Sequence, residues 1–373
     1  MIQFKHFNND LQLSNHRTKQ RARKVGEIMD EKKTMTIKDI AKICHVGVST
    51  VSRAINNAPG INAKTREDIL RVIEEYNYIP NNSARNLKMT ESNTIALLIK
   101  GIDNQFFQGM LKQFEEELKP LEYSFIIHAV GEDQDDLDVA RQLAMEKRLK
   151  GIIFLGGLMD HSAERFASIG VPHVLCTVAV NLDAPDRKCS CVSIDDEKES
   201  YKAVDYLCKK GHKRIAIICG RETDYAVGRM RLEGYQNALK ANGIEFDPEL
   251  VRFMKDDIPE YSSANGYAVA KELLESGLDF TAIYAISDLV AFGVYKAIYD
   301  AGKKIPDDYS VMGFDGLEMS NYYIPALTTI KQPCEAMVKS TIDLLMQQIN
   351  GNKEKCQMLF KAELVERESV KEI

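Results

Sequence analysis

From Asn93 to Asp315 the chain carries seven short apolar runs: TIALLI (94–99), SFIIHAV (124–130), GIIFLG (151–156), HVLCTV (173–178), RIAIICG (214–220), AIYAIS (282–287) and YSVMGFD (309–315). Stretches with helical periodicity separate them. Short apolar runs alternating with amphipathic helices are the pattern of parallel strands buried on both faces by crossover helices. Seven are many for one sheet, so an α/β region of two lobes is expected, each a small doubly wound parallel sheet. In such folds ligands sit outside the carboxyl ends of the strands. At 373 residues the chain has room for these lobes and a separate N-terminal headpiece.

Charge divides the chain at the same place. The formal net charge is −6, but residues 1–90 hold 16 Lys and Arg against 9 Asp and Glu, a local charge of +7 that leaves −13 on the remainder. A basic N-terminal part suits phosphates, and an acidic remainder does not. The eight cysteines contain no Cys-x-x-Cys pair and lie mostly in apolar contexts, which reads as reduced core residues of a cytoplasmic protein. Cys189-x-Cys191 would share a strand face, but no His or carboxylate cluster accompanies it, so no metal is expected. No run reaches transmembrane length, and the polar N-terminus is no signal peptide, so no membrane partner is expected. Neither G-x-G-x-x-G, G-x-x-x-x-G-K-[ST] nor H-E-x-x-H occurs, which argues against a nucleotide-dependent or zinc enzyme and gives no cofactor.

Within the basic part, residues 36–56 read TIKDIAKICHVGVSTVSRAIN. Thr36 with Asp39 three positions later approximates a capping box, which starts a helix at Ile37. Ile37, Ile40, Ala41 and Cys44 recur at helical spacing as its apolar face. His45, Val46 and Gly47 make a turn, and a second helix runs from about Val48 to Asn56, burying Val51 and Ile55. Val48, Ser49, Thr50, Ser52 and Arg53 stay available to DNA. Val48 can touch a thymine methyl, Ser49 a base edge, and Arg53 can bond guanine in a bidentate way, each such pair giving about 1–3 kcal/mol of discrimination. Thr50 and Ser52 suit phosphates. Any short helical hairpin rich in Ser and Thr looks similar, so the continuation matters. Asn62 caps a third helix whose Ile69, Val72 and Ile73 close a three-helix core.

The strings VSRAIN, AKTRE and NYIPN, followed by Ala84-x-x-Leu87, stand in the order found in the lac repressor family of bacterial transcription regulators, which this sequence resembles. The resemblance extends over nearly all of residues 36–366, anchored by KGHKRIAIICG (210–220), GRMRLEGY (228–235), SDLVAFGVYKAI (287–298) and GFDGLEMSNYYIPALTTIKQP (313–333). Residues 1–33 read as a basic polar extension, either an arm that adds phosphate contacts or a misassigned start; the resemblance implies a helix-turn-helix headpiece over 34–80, a hinge helix and linker over 81–93, and an effector and dimerisation region over 94–373 resembling periplasmic sugar-binding proteins. Met29 or Met35 would begin the chain where the resemblance begins. Asn81, Ala84 and Leu87 are then DNA contacts, with Leu87 as a minor-groove wedge. A helix of about two turns is unstable alone, and a wedge between base steps costs a few kcal/mol that a bent duplex offsets. The chain is implied to recross between lobes near Tyr323.

For the effector, Arg231 offers a rigid fork of donors, and Asp315 can accept two hydroxyl hydrogens. Ser287 and Asp288 follow a strand at positions near the family's ligand. Phe106 and Phe107 can stack on a sugar, as can Tyr261, at an aromatic position of the family. The plain alternatives are that Arg231 pairs with Glu222 or Glu233, that Asp288 or Asp315 caps a helix, and that the phenylalanines are core. Thr177 stands where the lac repressor itself is acidic, so specificity for lactose-type sugars does not transfer. His45 and Gly47 depart from the family's turn, but His tolerates a left-handed backbone and Gly is an acceptable N-cap. The expected function is a ligand-responsive repressor of a sugar-utilisation operon, a homodimer on operator DNA with a sugar or sugar phosphate as effector. After about Glu366 only a few polar residues follow, with no heptad tail for a tetramer. An alternative is a global catabolite regulator controlled by a protein partner.

Overall fold

The structure is a computed structural model that describes residues 35–55, 58–76, 93–131, 134–157, 161–178, 189–224 and 226–373. The extension 1–33 and the hinge positions Asn81, Ala84 and Leu87 lie outside the described residues. Two compact units divide the chain at Thr90.

The first unit contains α1 (Ile37–Ile43), α2 (Val48–Ile55) and α3 (Ala63–Glu75). Asp39 reaches back to Thr36, accepting from its backbone N–H at 3.0 Å and its hydroxyl at 2.6 Å, and the Asn62 side chain accepts from Lys64 N at 2.9 Å to start α3. Ile40, Ala41, Val51, Ala54 and Ile69 form the buried core, with Ile37, Cys44, Ile55, Val72 and Ile73 packed around it. Ala54 therefore takes the central place expected of Ile55. Both positions follow Val51 on one helix face, and the smaller side chain sits in the core centre.

The second unit has two sheets. From Thr94 the order is β1 (Thr94–Lys100), α4 (Gln105–Leu118), β2 (Ser124–Val130), α5 (Asp136–Lys147), β3 (Gly151–Leu155), α6 (Ala163–Ala167), β4 (His173–Cys176) and β5 (Ser190–Ile194). The second lobe follows with α7 (Asp196–Lys209), β6 (Ile215–Cys219), α8 (Val227–Ala241), β7 (Val251–Phe253), α9 (Ser263–Glu275), β8 (Ala282–Ala285), α10 (Asp288–Asp300), β9 (Ser310–Asp315) and β10 (Thr328–Lys331). The chain ends with α11 (Cys334–Ile349), β11 (Gln357–Phe360) and β12 (Glu363–Val365). The sheet orders are β11-β5-β4-β3-β1-β2 and β12-β10-β9-β8-β6-β7. Every pairing is parallel except β10 with β12. All seven apolar runs are strands.

Among the described residues the chain passes between lobes three times: through Asp195, through Gln332 and Pro333, and through Lys361 and Ala362. The second passage lies beyond the expected Tyr323, because β10 first completes the second sheet. Helix α11 then returns to pack on α4, β3, β4 and β5. Strands β5 and β10 escape a hydropathy reading because their buried sides include Ser190, Ser193, Thr328 and Thr329. Nor are the residues after Glu366 a loose tail. Ser369 is fully buried, donating its hydroxyl to Val311 O at 2.6 Å and accepting from Thr328 N at 2.8 Å.

Candidate functional site

In the headpiece, the turn expected to tolerate His45 holds it at φ 53°, in the left-handed region. Gly47 occupies the N-cap position of α2, its carbonyl accepting from Thr50 N at 2.9 Å and Val51 N at 3.2 Å. A Cβ there would meet Ser49 Oγ at an ordinary 3.5 Å, so glycine is not required sterically. Val48, Ser49 and Arg53 are exposed on α2, whereas Thr50 and Ser52 are half-buried. One face of α2 is thus core and the other a polar surface with an apolar contact at Val48.

The second unit has a cavity of about 390 Å³ between its lobes, within the range of about 300–1,000 Å³ usual for small-molecule sites. Its walls come from the carboxyl ends of strands in both sheets: Lys100 closing β1 and Gly101 after it, Gly156 and Gly157 after β3, Thr177 and Val178 after β4, Arg221 after β6, and Asp315 closing β9. Phe106 and Phe107 enter from the first turn of α4, which Asn104 caps through Phe106 N at 3.0 Å. Their rings lie 5.6 Å apart. Gly156, at φ +70°, allows this wall, since a Cβ there would sit 2.9 Å from both the Phe107 ring and Lys100 O. Thr177, Tyr261 and Asp315 are three of the six non-glycine residues with positive φ among the described residues, and all three line the cavity. Backbone strain of this kind gathers at sites the surrounding structure over-determines.

Opposite the phenylalanines, buried Arg231 projects from α8. Its Nε donates to Asp196 Oδ1 at 2.9 Å, its Nη2 lies 2.8 Å from the same oxygen, and its Nη1 donates to Ile286 O. Asp315 Oδ1 is 3.8 Å from Nη1 and accepts from Gln332 Nε2 at 2.9 Å. The guanidinium lies over the Phe314 ring at 3.7 Å. Burial opposes its charge, but Asp196 and Asp315 raise its pKa further. Burial pushes the Asp315 carboxyl up to about 8, against the lowering effect of Arg231. Tyr261 donates to Asp224 Oδ2 at 2.8 Å.

The structure brings Phe106, Phe107, Arg231, Tyr261 and Asp315 to one cavity and leaves Ser287 and Asp288 outside its lining. Ser287 caps α10, accepting from Val290 N at 3.3 Å. Asp288 is fully buried and accepts from Leu317 N at 2.7 Å, Ser320 Oγ at 2.7 Å and Thr329 Oγ1 at 2.6 Å. It locks the loop after β9 to β10. Arg231 pairs with neither expected glutamate: Glu233 takes Arg229 at 3.0 Å, and Asp196, far earlier in sequence, takes Arg231. Sequence reasoning did not single out Asp196, Asp224 or Gln332. Asp224 and Gln332 did carry one signal, lying just beyond the ends of β6 and β10.

Residues 36–81 match the model of bacterial regulatory proteins of the lacI family, and residues 204–370 match that of the periplasmic binding protein-like domain. The chain is 40% identical over 337 residues to the HTH-type transcriptional regulator MalR of Clostridium butyricum, covering 90% of this chain and 99% of that protein. It is 32% identical over 339 residues to the ribose operon repressor of Haemophilus influenzae, covering 90% and 98%. Among solved structures it resembles the lac repressor dimer bound to operator and an anti-inducer, with a TM-score of 0.70 and 26% identity over 91% of this chain and 100% of that one. The transcriptional regulator CelR–cellobiose complex gives 0.66 and 28% over 90% and 99%. The chain belongs to the lacI family of bacterial regulatory proteins. It is a transcriptional regulator and not an enzyme, and no helix among the described residues is long and apolar enough to cross a membrane.

Proposed function

We propose that the chain represses a sugar-utilisation operon in the cytoplasm, as a homodimer whose headpieces read the half-sites of a near-palindromic operator. Val48, Ser49 and Arg53 reach base edges; Thr50 and Ser52 meet phosphates; Asn81, Ala84 and Leu87 serve the hinge contact. The observation that carries the effector half is the cavity lined from the carboxyl ends of both sheets. A sugar there stacks on Phe106, Phe107 or Tyr261 and exchanges hydrogen bonds with Arg231 and Asp315. Relatives named for a ribose operon and a structure holding cellobiose support a saccharide. Ser287 and Asp288 hold the wall and take no part in contact.

Gln332 links cavity to motion. It stands at the second passage between lobes and bonds Asp315 through both backbone and side chain. A ligand that draws the lobes together therefore acts on a residue of the connection itself. Coupling of about 1–3 kcal/mol would change operator affinity about 5–150-fold. The test is fluorescence anisotropy of the full chain on duplexes enriched from a near-palindromic library, with and without candidate sugars. Salt-sensitive, sequence-selective binding that a sugar shifts by such a factor is expected. Absence of sequence selectivity overturns the regulator mechanism, and selective binding that no saccharide alters overturns the sugar half in favour of control by a protein partner.

A further inference from the structure

The cavity mixes both signs of charge. Among the described lining residues the cations are Lys100, Arg221 and Arg231. Each is engaged by protein oxygens. Lys100 Nζ donates to Gln134 O at 2.9 Å and faces Asp136 at 3.8 Å. Arg221 donates to Asp256 O at 3.2 Å and lies 3.4 Å from its carboxylate. Arg231 serves Asp196 and Asp315 together.

The place where an anion would otherwise sit is the start of α8, a 15-residue helix whose N-cap Ala226 and first residue Val227 line the cavity. Such termini are ready anion sites. Here the half-buried Asp224 carboxylate already occupies it, Oδ1 accepting from Ala226 N at 2.8 Å and Oδ2 from Gly228 N at 3.0 Å and Tyr261 OH at 2.8 Å. Two glycines leave it room: a Cβ at Gly228 would lie 2.2 Å from Oδ2, and one at Gly220 would lie 2.7 Å away. A ligand phosphate brought to this end would meet a fixed carboxylate, and like charges held together in a site are strongly disfavoured.

We propose that Asp224 is a specificity residue that closes the helix terminus to ligand anions, so that the cavity takes neutral saccharides and rejects their phosphate esters. This narrows the sugar reading above and rests on it. The neutral hydroxyls of a saccharide can still donate to Asp224 and Glu260, where a phosphate offers only acceptors at neutral pH.

Calorimetry on the full chain tests this with maltose and cellobiose against their 6-phosphate esters, and with inorganic phosphate as control. The neutral sugar should bind at least about tenfold more tightly than its ester, which is about 1.4 kcal/mol, and inorganic phosphate should not bind. In Asp224→Asn, or Asp224→Ser if the first does not fold, that ratio should fall by about tenfold. An ester that binds as well as its parent sugar overturns the neutral class while leaving the sugar reading intact. A preference for neutral sugar that both variants retain overturns the part given to Asp224. If no saccharide of either kind binds or shifts operator affinity, the sugar reading itself fails.

Discussion

The two lobes of the effector unit are wired alike and furnished differently. Both sheets run in the same order from one edge to the other, yet the first brings the aromatic side chains Phe106 and Phe107 to the cavity, beside glycines and the polar Lys100, Asp103, Asn104 and Thr177, and the second brings the buried ion pairs of Arg231 and Asp315, with Asp224 nearby and Asp196 behind them. Buried charges must be paired before any ligand arrives, because unpaired they cost several kcal/mol each. The second lobe is therefore a fixed polar template. The Phe106 and Phe107 side chains carry no such obligation.

The largest expected effect that tests this contrast is Arg231→Met. It leaves Asp196 and Asp315 buried without their cation, and unfolding in urea should show a loss of about 3–5 kcal/mol. A loss below about 1 kcal/mol would mean that the template does not depend on its ion pairs. Next is Asp288→Ala, which strands Leu317 N, Ser320 and Thr329 in the core. About 2–3 kcal/mol should be lost, with faster amide exchange in the loop after β9. On the apolar side Phe107→Leu, close in volume, should cost under about 1.5 kcal/mol while weakening saccharide binding measurably. Equal costs for Phe107→Leu and Arg231→Met would erase the distinction between wall and template.

A further effect sets buried acids against buried histidines by pH. Burial pushes Asp315 up to about 8 and Asp288 up to about 6, well above their unfolded values near 4. The folded state therefore holds these protons more tightly, and stability from this source falls as pH rises from about 4 through 6 and toward 8. In the first lobe His173 is buried with Nδ1 donating to Val171 O at 2.9 Å, and burial lowers its pKa to about 4. Its contribution is present above about 6.5 and is lost as pH falls toward 4. His212, buried in the second lobe, shifts in the same direction as His173. Each slope is limited to about 1.4 kcal/mol per pH unit per proton. Denaturation at pH 5 and pH 8 should show Asp315→Asn gaining more at pH 8 and His173→Gln gaining more at pH 5. Identical pH profiles for both variants and the parent would sink the assignment.

How much of this was readable beforehand depends on sequence distance. The headpiece helices were visible because caps and apolar spacing are local, and Thr36, Asn62 and His45 behave as their chemistry dictates. The cavity was visible in outline because strand ends are where parallel sheets expose ligand sites. What local patterns cannot encode is pairing across the fold. Asp196 lies at the start of one helix and Arg231 in the second turn of the next, and nothing near either marks the bond. Asp288 looked like a ligand residue for the reason that makes it structural: an acid at a strand end is equally suited to tying down a neighbouring loop. The strands with Ser and Thr on buried sides were missed because their polar groups are satisfied only by strands and segments far away in sequence.

The three passages between lobes carry one more consequence. Each is only one or two residues long, and they join the same edge of each sheet, where β5 and β11 neighbour one another and β10 and β12 do likewise. Connections that short tie the two lobes closely together at that edge. Any force that one lobe exerts on the other through the cavity must therefore be borne by these few residues.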